Sequence, residues 1–289
     1  MRLVRKISLF LWRPVVRTDY YGHSLTLPGQ HDLALLANDL PLINTPLRRL
    51  AAAVRADSGC LRLLDVGANI GEGVPLADPK AGDRFWLVEG SATFLPYLRH
   101  NVSGRTDVTV IPFYLGEHRS VSRGAEVIVD GNAHINAGAE GEVAFETLDH
   151  LFPESADAQP NLIKIDVEGY EPRVLAGASG LLARSQPAVF MEWFPRLLIN
   201  QGFDVLASIR PLEAAGYGDA AVYDNHGHFI GDFSLGDRIR LEQLAAYGRM
   251  RDLYYFDLAV FAPAHARLRE GFRAGEARFF EDWLRRQSR

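Results

Sequence analysis

Four short apolar runs in this sequence each end in an acid, and those acids are the residues best placed to do chemistry. Leu61, Leu63, Leu64 and Val66 surround Asp65, and the turn Gly67-Ala68-Asn69-Ile70-Gly71 follows. An acid at the end of a buried strand, followed by a turn lacking Cβ atoms, is how open α/β sheets hold nucleotide-like cofactors. Asn69 stands where the dinucleotide fingerprint has its second glycine, which counts against hydride transfer. The run Arg84–Glu89 ends in an acid 24 residues after Asp65, the spacing of a β-α-β unit whose second acid accepts from ribose hydroxyls. Asp166 and Glu168 follow the run Asn161–Ile165, and Glu192 ends Ala188–Glu192. Carboxylates crowded at one rim repel unless a proton, a cation or a partner relieves them. Lys164 points to the same side of its strand as Asp166, and a buried lysine needs a partner, which an acid on an adjacent strand supplies. A structural ion-pair cluster is the plain alternative to catalysis for these four.

For the acids to share one rim, the runs must be parallel strands joined by helices. Thr45-Pro46 reads as an N-cap and first helical position, with Leu47, Leu50 and Val54 on one face of a helix leading to the first strand. The helix expected after Gly71 is short, since Glu72–Pro79 contains Pro75. Ser91 caps the next, whose stripe is Phe94, Leu95, Leu98 and Val102, with a kink expected at Pro96. Val108–Pro112 is a third strand, ending beside Tyr114–Glu117, where an adenine ring would sit. His118–Glu146 is long for a connection and reads as an insertion or lid, with a strand at Val127–Val129. A helix is expected from Tyr170 to Ala183. Ala220–Asp224 and His228–Phe233 flank Asn225-His226-Gly227, a hairpin signal, and Leu253–Phe261 is a last strand. Arg267–Arg289 reads as an amphipathic helix packed on the domain or on a second subunit. The pattern predicts an α/β fold, a mostly parallel sheet with helices on both faces and an antiparallel end. Three parts follow: an N-terminal extension with covering helices over 1–59, a central domain over 60–262, and a C-terminal helix over 263–289.

At 289 residues, 47% hydrophobic and 23% charged, the composition is that of an ordinary globule. A net charge of −5 leaves no footprint for nucleic acid. Cys60 is the single cysteine, so no disulfide forms within the chain and a Cys-rich zinc site is excluded. That usage fits a reducing compartment, and a cytoplasmic location is expected. Met1–Arg17 carries five basic residues and no acid. Its apolar run Ile7–Trp12 is too short for a transmembrane span and has no small-residue cleavage site. It reads as a surface helix or strand, the sharper reading being weak attraction to an anionic membrane surface.

Three stretches together resemble the FkbM family of S-adenosylmethionine (SAM) methyltransferases: DVGANIGEG at Asp65–Gly73, TLDHL at Thr147–Leu151 and LIKIDVEGYEPRVLAGASGLL at Leu162–Leu182. The match spans about residues 60 to 193, and YDNHG at Tyr223–Gly227 is similar to a later feature of some members. The resemblance implies the class I (Rossmann-like) fold, with residues 60–262 as the methyltransferase domain, and O-methylation of a carbohydrate or glycan hydroxyl. Methylation of a polyketide or other small-molecule hydroxyl is one alternative, and a SAM-binding or assembly module without catalysis is another. The family's usual proline after the second-strand acid is replaced here by Gly90.

On this reading SAM is held by Asp65, Gly67, Ala68, Asn69, Gly71, Glu89, Ser91 and Tyr114. The glycine turn would offer backbone N–H groups to its methionine end, Asp65 would lie near its amino group, and Gly67→Val would clash with it. Asp166, Glu168, Glu192 and Lys164 would serve the acceptor. A hydroxyl with a pKa not far below water's value of about 15.7 is hard for a carboxylate with a pKa near 4 to deprotonate. Proton removal must accompany methyl transfer, or a divalent ion must acidify the hydroxyl. Asp166 and Glu192 are the first metal-ligand candidates, though no ligand spacing is diagnostic. His118, His134, His226 and His228 are alternative bases.

Overall fold

The structure is a computed structural model describing residues 15–29, 31, 33, 40–129, 132–136, 140–155, 158–250 and 254–287. The N-terminal run Ile7–Trp12, Leu253 and the side chain of His134 lie outside the described residues. An antiparallel hairpin comes first, β1 (Val16–Tyr20) with β2 (His23–Leu27), turning at Tyr21-Gly22. The sequence pattern alone does not reveal this hairpin. Helix α1 (Thr45–Ser58) buries Leu47, Leu50 and Val54 as expected and leads into β3 (Arg62–Val66). Thr45 does not cap it; the Thr45 hydroxyl donates to the Leu42 carbonyl instead, at 2.7 Å. After the glycine turn, α2 (Gly73–Leu76) is a single turn, then β4 (Arg84–Val88) follows. Pro96 starts α3 (Leu95–Asn101) rather than kinking it, because a first-turn proline lacks only an N–H that has no helical partner.

β5 (Val108–Ile111) is followed by the insertion, which is more structured than expected. β6 (Tyr114–Leu115), β7 (Ser120–Arg123) and β10 (Glu142–Glu146) form a small sheet, while β8 (Ala125–Val129) and β9 (Asn132–Asn136) form a hairpin. Thr147 caps α4 (Leu148–Leu151), accepting from the His150 amide. After β11 (Leu162–Ile165) the single expected helix is two, α5 (Glu171–Ala176) and α6 (Ser179–Ser185). The break has a tertiary cause. The Asp149 carboxylate accepts from the amides of Gly180 and Leu181, at 2.9 and 2.6 Å, and so starts a new helix there.

The remaining elements are β12 (Ala188–Trp193), α7 (Pro195–Asn200), α8 (Ile209–Ala214), β13 (Asp219–Asp224), β14 (Phe229–Ser234), α9 (Arg238–Arg249), β15 (Phe256–Phe261) and α10 (Ala266–Gln287). The main sheet runs β14-β13-β15-β12-β11-β3-β4-β5, with β12, β11, β3, β4 and β5 parallel and β15, β13 and β14 making the antiparallel end. Each strand feeds two cores. Leu64, Ile163, Val189 and Leu258 pack with α4 to α9 on one face; Leu63, Leu162, Phe190 and Ala259 pack with α1 to α3 and α10 on the other. Leu268 and Phe272 bury α10 in that second core, at about 1.5–3 kcal/mol for each side chain. Glu276 of the same helix accepts from Tyr223 at 2.7 Å and pairs with Arg49 of α1. Among the described residues, no helix is long and apolar enough to cross a membrane.

Candidate active site

Asp65 on β3 and Lys164 on β11 are register partners, and their side chains share the face of the α1–α10 core. The Lys164 ammonium lies 3.1 Å from Asp65 Oδ1 and 3.4 Å from Asp166 Oδ2. Exposure rises from 1% at Asp65 through 12% at Lys164 to 41% at Asp166. One cation therefore bridges a buried acid and an accessible one. Burial alone would lower the Lys164 pKa, but Asp65, Asp166 and Glu72 together raise it. Burial also lifts the Asp65 carboxyl, against the pull of Lys164. Asp65 Oδ2 and Glu72 Oε2 are buried without a hydrogen-bond partner, and burial pushes Glu72 up to about 8. The partner expected for Lys164 on an adjacent strand is thus Asp65. Glu72 is an addition that sequence reasoning does not supply, although it sits inside the glycine motif.

The glycine turn is tied down by the chain itself. The amides of Gly67 and Ala68 both donate to the Val88 carbonyl at 3.0 Å, and Gly71 donates to Ala68 at 2.7 Å. The Asn69 amide donates to Glu89 Oε2 at 2.8 Å, and the Ser91 amide to Glu89 Oε1 at 2.7 Å. This corrects the expectation that the turn presents those N–H groups outward; they hold its shape. Glu89 is the clamp, its carboxyl lifted to about 7 by burial against the two amide bonds. Gly67 adopts φ +78, and a Cβ there would lie 1.9 Å from the Asp166 carbonyl oxygen. A valine at that position would strike backbone, so it tests folding rather than cofactor binding. Ser91 accepts from the amides of Thr93 and Phe94, at 3.1 and 3.2 Å, opening the turn before α3. The Tyr114 ring lies over Gly90, where an added Cβ would be 2.4 Å from Cγ. That contact explains why proline is absent after Glu89. From β8 of the insertion, Glu126 accepts from the Tyr114 hydroxyl at 2.6 Å and from the Thr93 hydroxyl at 2.5 Å. Nothing in the local sequence pattern marks Glu126.

Farther along the same rim, β12 places Glu192 opposite Asp257 of β15. Glu192 Oε1 is buried without a hydrogen-bond partner, and burial, with Asp166, Glu168, Glu171 and Asp257 nearby, raises its carboxyl well above the usual range. Burial pushes Asp257 and Glu168 up to about 8 as well. Glu168 sits at φ +55, and Glu171 secures this turn by accepting from the amides of Val167 and Gly169, at 3.1 and 3.2 Å. Asp257 escapes sequence reasoning; its signal is a lone acid inside an apolar strand. His118 is exposed beside Glu117, while His226 and His228 lie on the β13–β14 turn. Among the described residues, no group of three or more converging metal-ligating side chains includes Asp166 or Glu192.

These buried acids fix a pH dependence. Glu72, Glu168 and Asp257 titrate near 8 in the fold against 4.5, 4.5 and 3.8 when free. Between those limits the folded chain binds more protons than the unfolded one, so stability falls as pH rises through this window. For each group, every pH unit separating its folded and free values is worth about 1.4 kcal/mol. The urea midpoint is expected to be lower at about pH 9 than at about pH 6. A midpoint that rises over that interval contradicts the protonated cluster.

Comparison with known proteins gives three results. A family model described as the methyltransferase FkbM domain matches residues 65–217. The hexuronic acid methyltransferase AglP of Haloferax volcanii is 32% identical over 125 residues, 42% of this chain and 51% of that protein. The chain thus spans about half the length of the curated relative it matches. Among solved structures, the methyltransferase FkbM from Methylobacillus flagellatus KT is 20% identical, covering 51% of this chain and 37% of its own, with a TM-score of 0.34. Aeropyrum pernix fibrillarin, solved with natively bound S-adenosyl-L-methionine, is 14% identical, covering 68% and 65%, with a TM-score of 0.39.

Proposed function

Because this chain belongs to the FkbM methyltransferase family, we propose that it is a SAM-dependent O-methyltransferase acting on a hydroxyl of a carbohydrate or glycan. One observation carries the reading: Lys164 holds a buried acid of the cofactor side and an accessible acid of the acceptor side at one rim. The relative named for hexuronic acid methylation supports a sugar acceptor. The single cysteine supports a cytoplasmic setting.

The residues present fit SAM. Buried Asp65 Oδ2 and Asn69 Oδ1 make no hydrogen bond and are acceptors available to an ammonium group. Each Glu89 oxygen takes one amide and keeps acceptor capacity for a ribose diol. The Tyr114 ring over Gly90 offers an apolar wall for adenine. SAM supplies a methyl group made electrophilic by its sulfonium; the protein supplies alignment and proton removal. Asp166, the accessible acid paired with Lys164, takes the hydroxyl proton as the acceptor oxygen attacks. Lys164 offsets the repulsion between Asp166 and Asp65. Burial and the neighbouring acids favour the protonated form of Glu192, which suits it to donate a hydrogen bond toward the acceptor.

The direct test is release of S-adenosylhomocysteine that depends on the acceptor, across sugars, uronic acids, glycans and nucleotide sugars. Release with a polyketide alone would move the substrate class; SAM binding without release on any acceptor would leave a binding module. The cofactor half is tested separately. At about pH 8 Glu89 is charged, and a charged hydrogen bond is worth about 1.5–3 kcal/mol. Glu89→Gln is therefore expected to weaken SAM roughly ten- to a hundredfold by calorimetry, with the circular dichroism spectrum retained. Unchanged affinity would remove Glu89 from the pocket.

A further inference from the structure

A second cluster of chemistry-bearing side chains lies on the turn joining β13 to β14. Asp224, His226 and His228 stand at alternate positions there, and one ligand atom from each lies within 4.8 Å of the others. His228 Nδ1 is 3.4 Å from Asp224 Oδ1. Two ligands bound at 2.0–2.2 Å to one tetrahedral ion are separated by roughly 3.3–3.6 Å, so this pair already stands at a ligand edge.

The turn is built to hold that arrangement. Asp224 Oδ1 accepts from the amides of His226 and His228, at 3.0 and 2.9 Å, which fixes the carboxylate's direction. Main-chain bonds from Asp224 to His228 and from Gly227 to Asp224, each 2.9 Å, close the turn beneath it. Gly227 adopts φ +85, and a Cβ there would lie 2.0 Å from the Leu42 carbonyl, so the turn is seated on the segment just before α1. The His228 ring packs edge-on against Trp283 of α10, at 5.6 Å between centroids. Both imidazoles still reach solvent, which leaves an ion a way in. Locking of ligand direction by a second layer of hydrogen bonds is what metal sites use to raise affinity.

We propose that Asp224, His226 and His228 form a three-ligand site for a borderline divalent cation of the zinc, cobalt or nickel type. Two imidazoles and one carboxylate select that class over magnesium or calcium, which take all-oxygen sets. Three protein ligands leave a coordination position open to water or to another oxygen ligand. The site lies at the sheet's carboxyl rim, where Asp224 pairs with Phe256, one residue from Asp257 of the acceptor side. It is separate from the Lys164 cluster, and its test is binding rather than turnover.

The full chain is stripped with chelator, dialysed, and titrated with Zn²⁺ by calorimetry at near-neutral pH, and with Co²⁺ by visible absorption. The expected result is one ion per chain at micromolar affinity or tighter, with a tetrahedral-type cobalt spectrum. His226→Ala/His228→Ala is expected to weaken Zn²⁺ at least a hundredfold and abolish that spectrum. The side chains changed are at the surface and the Asp224 amide bonds stay, so the metal-free variant should match the parent's circular dichroism. If the double variant does not fold, His226→Ala alone, expected to cost at least tenfold, decides. Saturation only at millimolar metal, or unchanged affinity in the folded variant, overturns the site.

Discussion

Asp166→Asn is expected to lower turnover of an identified acceptor by roughly a hundredfold or more, the usual scale for loss of a general base. SAM affinity should stay within a few-fold, because the Asp166 side chain pairs with Lys164 and the substitution keeps its backbone contacts beside the glycine turn. The substitution keeps the shape of the side chain and removes its basicity. It also leaves Lys164 paired with Asp65, so folding is preserved. The comparison that gives the result its meaning is Glu192→Gln. Burial and the neighbouring acids favour the neutral form of Glu192, and a glutamine amide keeps that neutral form while retaining a donor. Its loss in turnover should therefore be within about tenfold, well short of that for Asp166. Rate measurements under saturating SAM separate the two. If both variants run at the parent rate, the cluster is structural and the base lies elsewhere. If Glu192→Gln is the more damaging, the roles of the two acids are reversed.

Lys164→Met is expected to cost the protein about 3–5 kcal/mol, the range for removing one partner of a buried ion pair. For a chain of this size that is on the order of a 10 °C fall in thermal midpoint. Methionine fills much of the volume, so the loss reports charge. Asp65 at 1% exposure is left with Glu72 and Asp166 and no cation between them. Adding Asp65→Asn to Lys164→Met should restore a large part of the midpoint, because the stranded charge is then gone. A double variant as unstable as the single would mean that Lys164 matters for packing alone. Turnover does not recover in the double variant, since both the bridge and the buried acid are missing.

The strands carrying the site were legible because β3, β4, β11 and β12 are buried on both faces and so read as apolar runs. Side-chain alternation was enough to anticipate an acid beside Lys164, and the structure supplies Asp65. The Asn225-His226-Gly227 turn was legible for the same local reason, a left-handed glycine between two alternating runs. What escaped lies in contacts between distant segments. The split of α5 from α6 depends on the Asp149 carboxylate, which no helical periodicity reveals. Glu126 reaches Tyr114 and Thr93 because the insertion folds back over α3's approach, a matter of hairpin placement rather than pattern. Gly90 looked like a departure from the family; the Tyr114 ring pressed against it turns the departure into a matched pair. Helices α7 and α8 are six residues each, too short to show an apolar stripe.

The seating of α10 on α1 also bears on how the chain can be made. Arg49 and Glu276 meet across 227 residues of sequence. At a synthesis rate of about 5–20 residues per second, that gap is roughly 10–45 seconds. Early in that interval the nascent chain carries Leu47, Leu50 and then β3, and about halfway through it β11, but not Leu268 and Phe272, which complete their core. The α4–α9 face can close earlier, except along β15, which is made just before α10. The α1–α10 face of the sheet is thus completed only once α10 has been made. Long-range closure of this kind slows folding and prolongs exposure of sticky surface. This protein is therefore one whose yield should depend on holdase chaperones and on growth temperature, and whose C-terminal truncations should collect as aggregates rather than as smaller working enzymes.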